Sequence, residues 1–138
     1  CLYMFLGSFL WLEQYRHYKI PSHKEYPFSS RVVHFMQENI ENNLTLEQLA
    51  AYFKYSPSHF SMLFQKETGA SPISFFIHLK IQKACQYIEL TNLKLNEIAI
   101  LLGFEEPAYF SRIFTKVMGI SPSAYRKKES EHSPTQSE

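Results

Sequence analysis

Side chains able to do catalytic or metal-binding chemistry are few in this sequence of 138 residues, and their spacing is poor for either task. The six histidines never occur as an i, i+4 pair, and neither cysteine has a second ligand nearby, so the pattern predicts no zinc site. There is no nucleophile elbow, phosphate-binding loop or glycine-rich dinucleotide turn. Cys85 falls at core spacing and is interpreted as a small packing residue. The sequence therefore predicts no enzyme, no metal and no cofactor.

A repeated sequence motif indicates instead a repeated structural unit. Gly-x-Ser-Pro occurs at residues 69–72 and again 50 positions later at residues 119–122. Before each copy the chain also repeats the pattern Phe-Ser-x-x-Phe-x-Lys, at residues 60–66 and 110–116. The glycine is suited to end one helix in the left-handed conformation, and the serine and proline to cap and begin the next. Each Gly-x-Ser-Pro motif therefore predicts the end of one helix and the start of another.

The residues upstream of each Gly-x-Ser-Pro motif repeat as well. Residues 46–53 match residues 95–102 with an offset of 49, so the second copy has one extra residue near Glu105 and Glu106. An insertion in a turn between two helices that stay in phase is expected of a duplicated helix-turn-helix. A helical solenoid would need about three or more repeats, and the chain has two.

Local signals predict where the helices of each copy begin. Thr45 and Gln48 form a capping box, and Ser56 followed by Pro57 forms an N-cap with proline at the first helical position. Residues 72–89 contain no internal glycine or proline and are predicted to form one long helix. Such a helix is about 27 Å long, comparable with the ~34 Å between successive major-groove faces on one side of B-DNA. Two helix-turn-helix modules joined by this helix are expected to present two recognition helices about one DNA turn apart.

Composition and the positions of prolines divide the chain into four segments. Residues 1–19 begin with twelve apolar residues, too few for a membrane span, and are interpreted as the last helix of a truncated upstream domain. A membrane-anchored parent protein is the alternative. Residues 20–30 contain two prolines and are predicted to be a linker, residues 31–128 the helical domain, and residues 129–138 a disordered tail. Two unpaired cysteines favour a reducing compartment, the cytoplasm.

Residues 44–128 resemble the DNA-binding domain of the AraC/XylS family of bacterial transcription regulators. The part of the chain that carries the resemblance best is I-A-I-L-L-G-F-E-E-P-A-Y-F-S-R-I-F-T-K-V-M-G-I-S-P-S-A-Y-R, residues 98–126. The resemblance implies an all-α fold of seven helices, with two helix-turn-helix modules joined by a long central helix. It also implies a regulator, expected to be an activator, that binds duplex DNA and contacts RNA polymerase.

The outward side chains of the two recognition helices are the candidates for base contact. In the first helix Phe60, Leu63 and Phe64 are predicted to face the core, and in the second Phe110, Ile113 and Phe114. Arg112 is the strongest candidate, because its guanidinium can pair with O6 and N7 of guanine. Met62 stands where the family often has arginine and is limited to contacts such as a thymine methyl. The full set of base-contact candidates is Ser58, Ser61, Met62, Pro107, Ala108, Ser111 and Arg112.

The phosphate-contact candidates are basic side chains and polar groups at helix starts. The chain carries a net charge of only +1, but residues 44–128 hold ten basic and six acidic side chains, a net +4. That balance predicts few phosphate contacts and a modest electrostatic contribution to affinity. Lys80 occupies a position at which the family usually has arginine. The candidates are Ser56, His59, Gln65, Lys66, Lys80, Lys116, Ser121, Arg126 and Lys127.

One alternative function stays open at this stage. A helical protein-interaction module with the same fold and weak or lost DNA reading would also fit Met62 and the low net charge. Salt dependence separates the two, because duplex binding weakens steeply with salt and binding through an apolar interface does not. A homodimer is expected to form, if at all, through the missing upstream domain. Nothing in the sequence indicates a small-molecule effector.

Overall fold

The computed structural model describes residues 27–132, and the regular structure in this range is entirely helical. This confirms the all-α class and the number of helices that the resemblance implies. The seven helices are α1 (Phe28–Glu38), α2 (Leu46–Tyr52), α3 (Pro57–Thr68), α4 (Pro72–Leu90), α5 (Leu95–Leu101), α6 (Pro107–Met118) and α7 (Pro122–His132).

The chain divides into two compact units, and the boundary lies within α4 between Lys80 and Ile81. The first unit is described from residue 27 to residue 80 and the second from residue 81 to residue 132. The predicted continuous helix is confirmed, with one residue more than expected at its C-terminal end.

The core of the first unit is built on aromatic side chains. Phe60 and Phe64 of α3 are fully buried and lie one helical turn apart, with stacked rings. The ring of Phe75 in α4 packs edge-on against Phe64 at 5.3 Å between centroids. Contacts of this geometry add about 0.5–1.5 kcal/mol beyond the burial of area. The apolar face of α1, two residues of α2 and two further residues of α4 complete this core: Val32, Val33, Met36, Leu49, Ala50, Phe76 and Leu79.

The helix ends of the first unit follow the local signals in the sequence. The capping box is present in full: Gln48 N–H donates to Thr45 Oγ1 at 3.1 Å, and Thr45 N–H donates to Gln48 Oε1 at 2.9 Å. The Ser56 side chain accepts from His59 N–H at 3.3 Å and starts α3. Gly69 ends that helix with φ of 81°, a left-handed conformation that glycine adopts without cost from a side chain.

The second unit repeats this arrangement. Phe110 and Phe114 of α6 are buried, and Tyr125 of α7 packs against Phe114 at 5.7 Å between centroids. Gly119 ends α6 with φ of 81°, and Ser121 accepts from Ala124 N–H at 3.2 Å to start α7. The remaining buried apolar residues are Ile81, Ala84, Cys85, Ile88, Ile98, Ala99, Leu102, Phe104 and Met118.

The N-terminal boundary of the helical domain needs a correction. The predicted linker of residues 20–30 extends too far, because α1 begins at Phe28 rather than at residue 31. The Phe28 ring lies within 6.0 Å of three aromatic rings, including Phe60 at 5.4 Å. Ser29 N–H donates to Glu67 Oε2 at 2.8 Å, 38 residues away along the chain. These distant partners, which local sequence patterns do not reveal, stabilise the first turn of α1.

The predicted C-terminal boundary of the helical domain, at residue 128, is also too early. The predicted tail of residues 129–138 begins inside α7, which continues to His132. Residues 123–132 contain no glycine or proline, and Lys and Glu are good helix formers. The first residue of this segment that disfavours a helix is Pro134, which also restricts the residue before it. The predictions for residues 1–19, 20–26 and 133–138 lie outside the described residues.

Candidate nucleic-acid interface

Helix α6 presents one buried and one exposed face. Phe110, Phe114 and Met118 face the core, as the spacing predicts for the two phenylalanines. The exposed side chains in the N-terminal half are Ala108, Tyr109, Ser111 and Arg112. Pro107 at the first helical position is half-buried. The start of α6 therefore offers a row of small side chains next to one guanidinium.

Helix α3 has the same arrangement with different chemistry. Ser58 is exposed, Ser61 is half-buried, and Met62 is 60% exposed. An offset of 50 pairs Ser58 with Ala108 and Met62 with Arg112. An exposed methionine offers apolar contact only, whereas arginine carries five hydrogen-bond donors. The two helices are therefore equivalent in position and unequal in hydrogen-bonding capacity.

The exposed cations in the last turns of α3 and α6 are Lys66 and Lys116. Within residues 27–132 no carboxylate pairs with Lys66, Lys116 or Arg112 at 4.0 Å or less. These three charges are therefore available to an anionic ligand. Gln65 and His59 are exposed on α3, and Lys127 is exposed on α7. The Ser56 and Ser121 hydroxyls already accept from backbone N–H groups of their own helices.

Lys80, one of the predicted phosphate contacts, is buried inside the first unit. Its side chain is only 4% exposed, and Nζ donates to the carbonyl oxygens of Ile40 at 2.9 Å and Asn42 at 2.8 Å. The ammonium also lies 4.8 Å from the centroid of the Phe76 ring. Burial lowers the pKa of Lys80 to about 8, and the neighbouring Glu41 carboxylate acts in the opposite direction. The lysine holds the loop between α1 and α2 through these two hydrogen bonds.

Arg126 has a comparable structural contact. It is half-buried, and its guanidinium donates to the carbonyl oxygen of Leu93, in the loop between α4 and α5. Tyr125 beside it donates to the Glu89 carboxylate, and burial together with this bond holds the pKa of the phenol above its usual range. The side chain of Arg126 thus holds a loop of the second unit, whereas the next residue, Lys127, is exposed.

Tyr109 is an exposed residue that the sequence reasoning missed. It is 42% exposed in the N-terminal half of α6, among the predicted base contacts. Its ring lies 6.0 Å from Phe104, and the Arg112 guanidinium carbon lies 5.8 Å from its centroid. The available signal was its position three residues before Arg112, since residues three apart on a helix are neighbours.

Three further features of residues 27–132 concern metal ligands, the Cys85 thiol and membrane-spanning helices. Among residues 27–132 no group of three or more His, Cys, Asp or Glu side chains could hold a metal ion. Cys85 is buried, and burial raises the pKa of its thiol to about 12, which disfavours the reactive thiolate. Along the same residues no helix is both long and apolar enough to cross a bilayer.

Comparison with known proteins agrees with this geometry. The model of a helix-turn-helix domain family matches residues 49–128, which include both α3 and α6. The chain belongs to the AraC-type helix-turn-helix family. The MmsAB operon regulatory protein of Pseudomonas aeruginosa is 42% identical over 94 residues, which are 68% of this chain and 31% of that protein. The chain spans about a third of the length of the curated relatives it matches.

Two solved structures resemble this AraC-type chain closely. The C-terminal domain of AraT, a response regulator from Geobacillus stearothermophilus, aligns with a TM-score of 0.71 and 33% identity, covering 75% of this chain and 86% of that one. The DNA-binding domain of AdpA, a global transcriptional factor solved in complex with a target DNA, aligns with a TM-score of 0.75 and 27% identity. That alignment covers 80% of this chain and 99% of the AdpA chain.

Proposed function

We propose that this AraC-type chain is the duplex-DNA-binding part of a bacterial transcription regulator, which inserts α3 and α6 into adjacent segments of the major groove. The observation that carries the proposal is the exposed N-terminal half of α6, where Arg112 stands beside Ala108 and Ser111 with no carboxylate partner among residues 27–132. Small neighbours let the helix approach the base edges, and the guanidinium matches O6 and N7 of guanine. The DNA bound in the AdpA structure supports the same use of the fold here.

Within this proposal the two recognition helices have different tasks. Helix α6 reads a guanine through Arg112, while α3 discriminates less through Ser58, Ser61 and Met62. Lys66 and Lys116, one turn beyond these residues, contact phosphates and fix the register of each helix. Pro107, Ala108 and Ser111 line the groove contact of α6. Further phosphate contacts come from Lys127, His59, Gln65 and the helix starts at Ser56 and Ser121.

The proposal extends to the whole protein. It places the regulator in the bacterial cytoplasm, acting as an activator beside RNA polymerase, with any homodimer formed through the upstream domain. These features come from the family and not from the described residues. Transcription in vitro from a promoter that carries the selected site would test activation directly: the transcript yield should rise when the regulator is added, and a fall would indicate a repressor.

Selection of bound sequences from a random duplex pool is the first test. We expect a preferred site with its best-defined positions in one half and weaker preference about one helical turn away. Enrichment of no sequence would contradict the proposal. Titrations of the preferred and a random duplex at several salt concentrations then separate the two kinds of contact. Lys116→Ala should weaken both duplexes alike and reduce the slope of log affinity against log salt by about one, with Lys66→Ala as its matched counterpart in α3.

A protein-interaction module is the second candidate, and the exposure of Met62 favours it. An apolar side chain 60% exposed in the centre of a recognition helix suits a protein partner as well as a thymine methyl. The salt series distinguishes the two candidates. Binding to duplex DNA should weaken steeply as salt rises, whereas a salt-insensitive complex with another protein and no duplex binding would favour the interaction module.

A further inference from the structure

The guanidinium of Arg112 rests beside an aromatic ring of its own helix. The Arg112 Cζ atom lies 5.8 Å from the centroid of the Tyr109 ring. A guanidinium within about 6 Å of an aromatic centroid is attracted by the negative face of the ring. Tyr109 and Arg112 are three residues apart and therefore share one face of α6. The contact limits the positions that a long and otherwise mobile side chain can take.

The Tyr109 ring is itself held from behind. Phe104, in the turn before α6, is 7% exposed and packs against Tyr109 at 6.0 Å and against the buried Phe110 at 5.3 Å between centroids. The second unit thus contains a continuous series of contacts from the core through Phe104 and Tyr109 to the guanidinium. A tyrosine that is 42% exposed still has open surface for its charged neighbour.

The first unit has the ring but lacks the charge. With the offset of 49 before the extra residue and 50 after it, Tyr55 corresponds to Phe104 and His59 to Tyr109. The rings of Tyr55 and His59 lie 5.2 Å apart. At the position of Arg112, however, α3 has Met62. The seating of an aromatic side chain against the turn is therefore a shared feature, and its use beneath a guanidinium is confined to α6.

We propose that Tyr109 is a positioning residue for base recognition, which orients the Arg112 guanidinium toward a guanine edge before DNA binds. The inference rests on the proposed function and concerns the same site. A bidentate contact with O6 and N7 needs the planar guanidinium in one orientation. An arginine free to rotate loses side-chain entropy when it binds, and the Tyr109 ring removes part of that loss in advance. Tyr109 therefore adjusts specificity without contacting the base itself.

The test measures discrimination at the base pair that Arg112 reads. That pair is located as the position of the selected site at which Arg112→Ala relaxes preference. Discrimination is the ratio of affinities for the site with its G·C pair and with another pair at that position. Tyr109→Ala should reduce this ratio about two- to fivefold, as expected for an exposed cation–π contact. Tyr109→Phe should keep it, because the phenylalanine ring can also hold the guanidinium.

Three controls separate positioning from a structural role. In Tyr109→Ala, affinity for a random duplex should stay within about twofold of that of the unsubstituted protein, and the slope of log affinity against log salt should not change. Partial unfolding of α6 would lower both the affinity and the slope. In an Arg112→Ala background, Tyr109→Ala should leave the discrimination ratio unchanged. His59→Ala removes the corresponding ring from α3. Because His59 is a proposed phosphate contact, this variant should weaken binding to all duplexes alike and leave the ratio at the Arg112 base pair unchanged.

The possible results decide between distinct readings. Loss of discrimination in Tyr109→Phe would overturn the inference, because the hydroxyl group would then contact the DNA directly. An unchanged ratio in Tyr109→Ala would overturn it too, since Arg112 would not need the ring. If the parent protein shows no preferred duplex at all, the proposed function fails before Tyr109 is examined, so the two failures are separable.

Discussion

The two units of this chain have the same helical architecture but stabilise it with different side chains. In both, a left-handed glycine ends the recognition helix and a proline begins the next one. In the first unit Lys80 donates to the Ile40 and Asn42 carbonyls, in the loop between α1 and α2. In the second unit Arg126 donates to the Leu93 carbonyl, in the loop between α4 and α5. The duplication therefore preserved the positions of helices more strictly than the contacts that stabilise them.

The turn inside each helix-turn-helix shows the same difference at one backbone position. Gly103 has φ of 79° in the second unit, and Lys54, its counterpart in the first, has φ of 63°. Lys54 is the one residue other than glycine with positive φ in the described part of the chain. A side chain in this region costs about 1–2 kcal/mol. The first unit thus keeps a strained turn that the second avoids.

The largest expected effect comes from the core residue common to both recognition helices. Phe60→Ala and Phe110→Ala should each lower the free energy of unfolding by about 3–5 kcal/mol, because both rings are buried and leave a cavity. Phe60 has three neighbouring rings and Phe110 has two, so the loss should be greater in the first unit. Chemical denaturation measures both.

The exposed Lys66→Ala and Lys116→Ala are the matched controls for this pair, and each should change stability by less than about 0.5 kcal/mol. A loss under about 1 kcal/mol for either phenylalanine would mean that its ring does not anchor the core of its unit.

Base discrimination should differ between the two recognition helices. Arg112→Ala is expected to weaken binding to the preferred duplex by about 1–3 kcal/mol and to relax preference at one base pair. Met62→Ala, at the equivalent position, should cost less than about 1 kcal/mol because it removes no hydrogen bond. Titrations against the preferred and a random duplex give both values. Equal losses on the two duplexes for Arg112→Ala would show that Arg112 only contacts phosphate.

Exchanging the turn residues should shift stability in opposite directions. Gly103→Lys should lower the free energy of unfolding by about 1–2 kcal/mol, because it introduces a side chain into the left-handed region. Lys54→Gly should raise it by up to about 1 kcal/mol, since relief of strain exceeds the added flexibility of the unfolded chain. Thermal or chemical denaturation measures the pair. A destabilised Lys54→Gly would mean that the lysine side chain stabilises the turn by more than its backbone strain costs.

The pH dependence of stability should reveal the burial of Lys80 in the first unit. The pKa of Lys80 is about 8 in the folded protein, below its usual 10.5. Between these pH values the unfolded chain binds more protons at this residue than the folded chain does. The free energy of unfolding should therefore rise with pH in this window, by at most about 1.4 kcal/mol per pH unit. Below the window Lys80 is protonated in both states and should add no pH dependence.

Denaturation from pH 7 to 10 of the parent and of Lys80→Met isolates this contribution, because all other titrating groups are common to both proteins. The parent should gain stability relative to the variant as pH rises above 8. Parallel curves would show that the ammonium is not desolvated as its burial indicates.

The smallest expected effect concerns the start of α5. In the first unit the capping box at Thr45 is complete, whereas in the second only Lys94 N–H donates, to Glu97 Oε2 at 2.8 Å. A lysine side chain has no acceptor for the amide of Glu97. Lys94→Thr should complete the box and raise the free energy of unfolding by about 0.5–1 kcal/mol. Thr45→Ala is the reciprocal change and should cost a similar amount. No gain in Lys94→Thr would indicate that the amide already has an equivalent partner.

The amino-acid sequence alone determined the order of the helices and most of their ends. Ser56 with Pro57, Gly69, and Thr45 with Gln48 act on backbone groups within about one helical turn, so their effect is visible without knowledge of the fold. The spacing of Phe60 and Phe64, and of Phe110 and Phe114, likewise showed which face is buried. The base-contact candidates came from the outward positions of each recognition helix together with the family resemblance.

Only the tertiary structure decided which polar residues face solvent. Lys80 donates to carbonyls 38 and 40 residues away, Arg126 to one 33 residues away, and Glu67 binds Ser29 across 38 residues. Helix α4 buries Phe75, Phe76 and Leu79. A helix that packs on more than one side has no single apolar stripe, so periodicity alone does not identify its buried residues. Hydrogen bonds and packing between distant segments depend on the fold that brings those segments together, and local spacing does not contain that information.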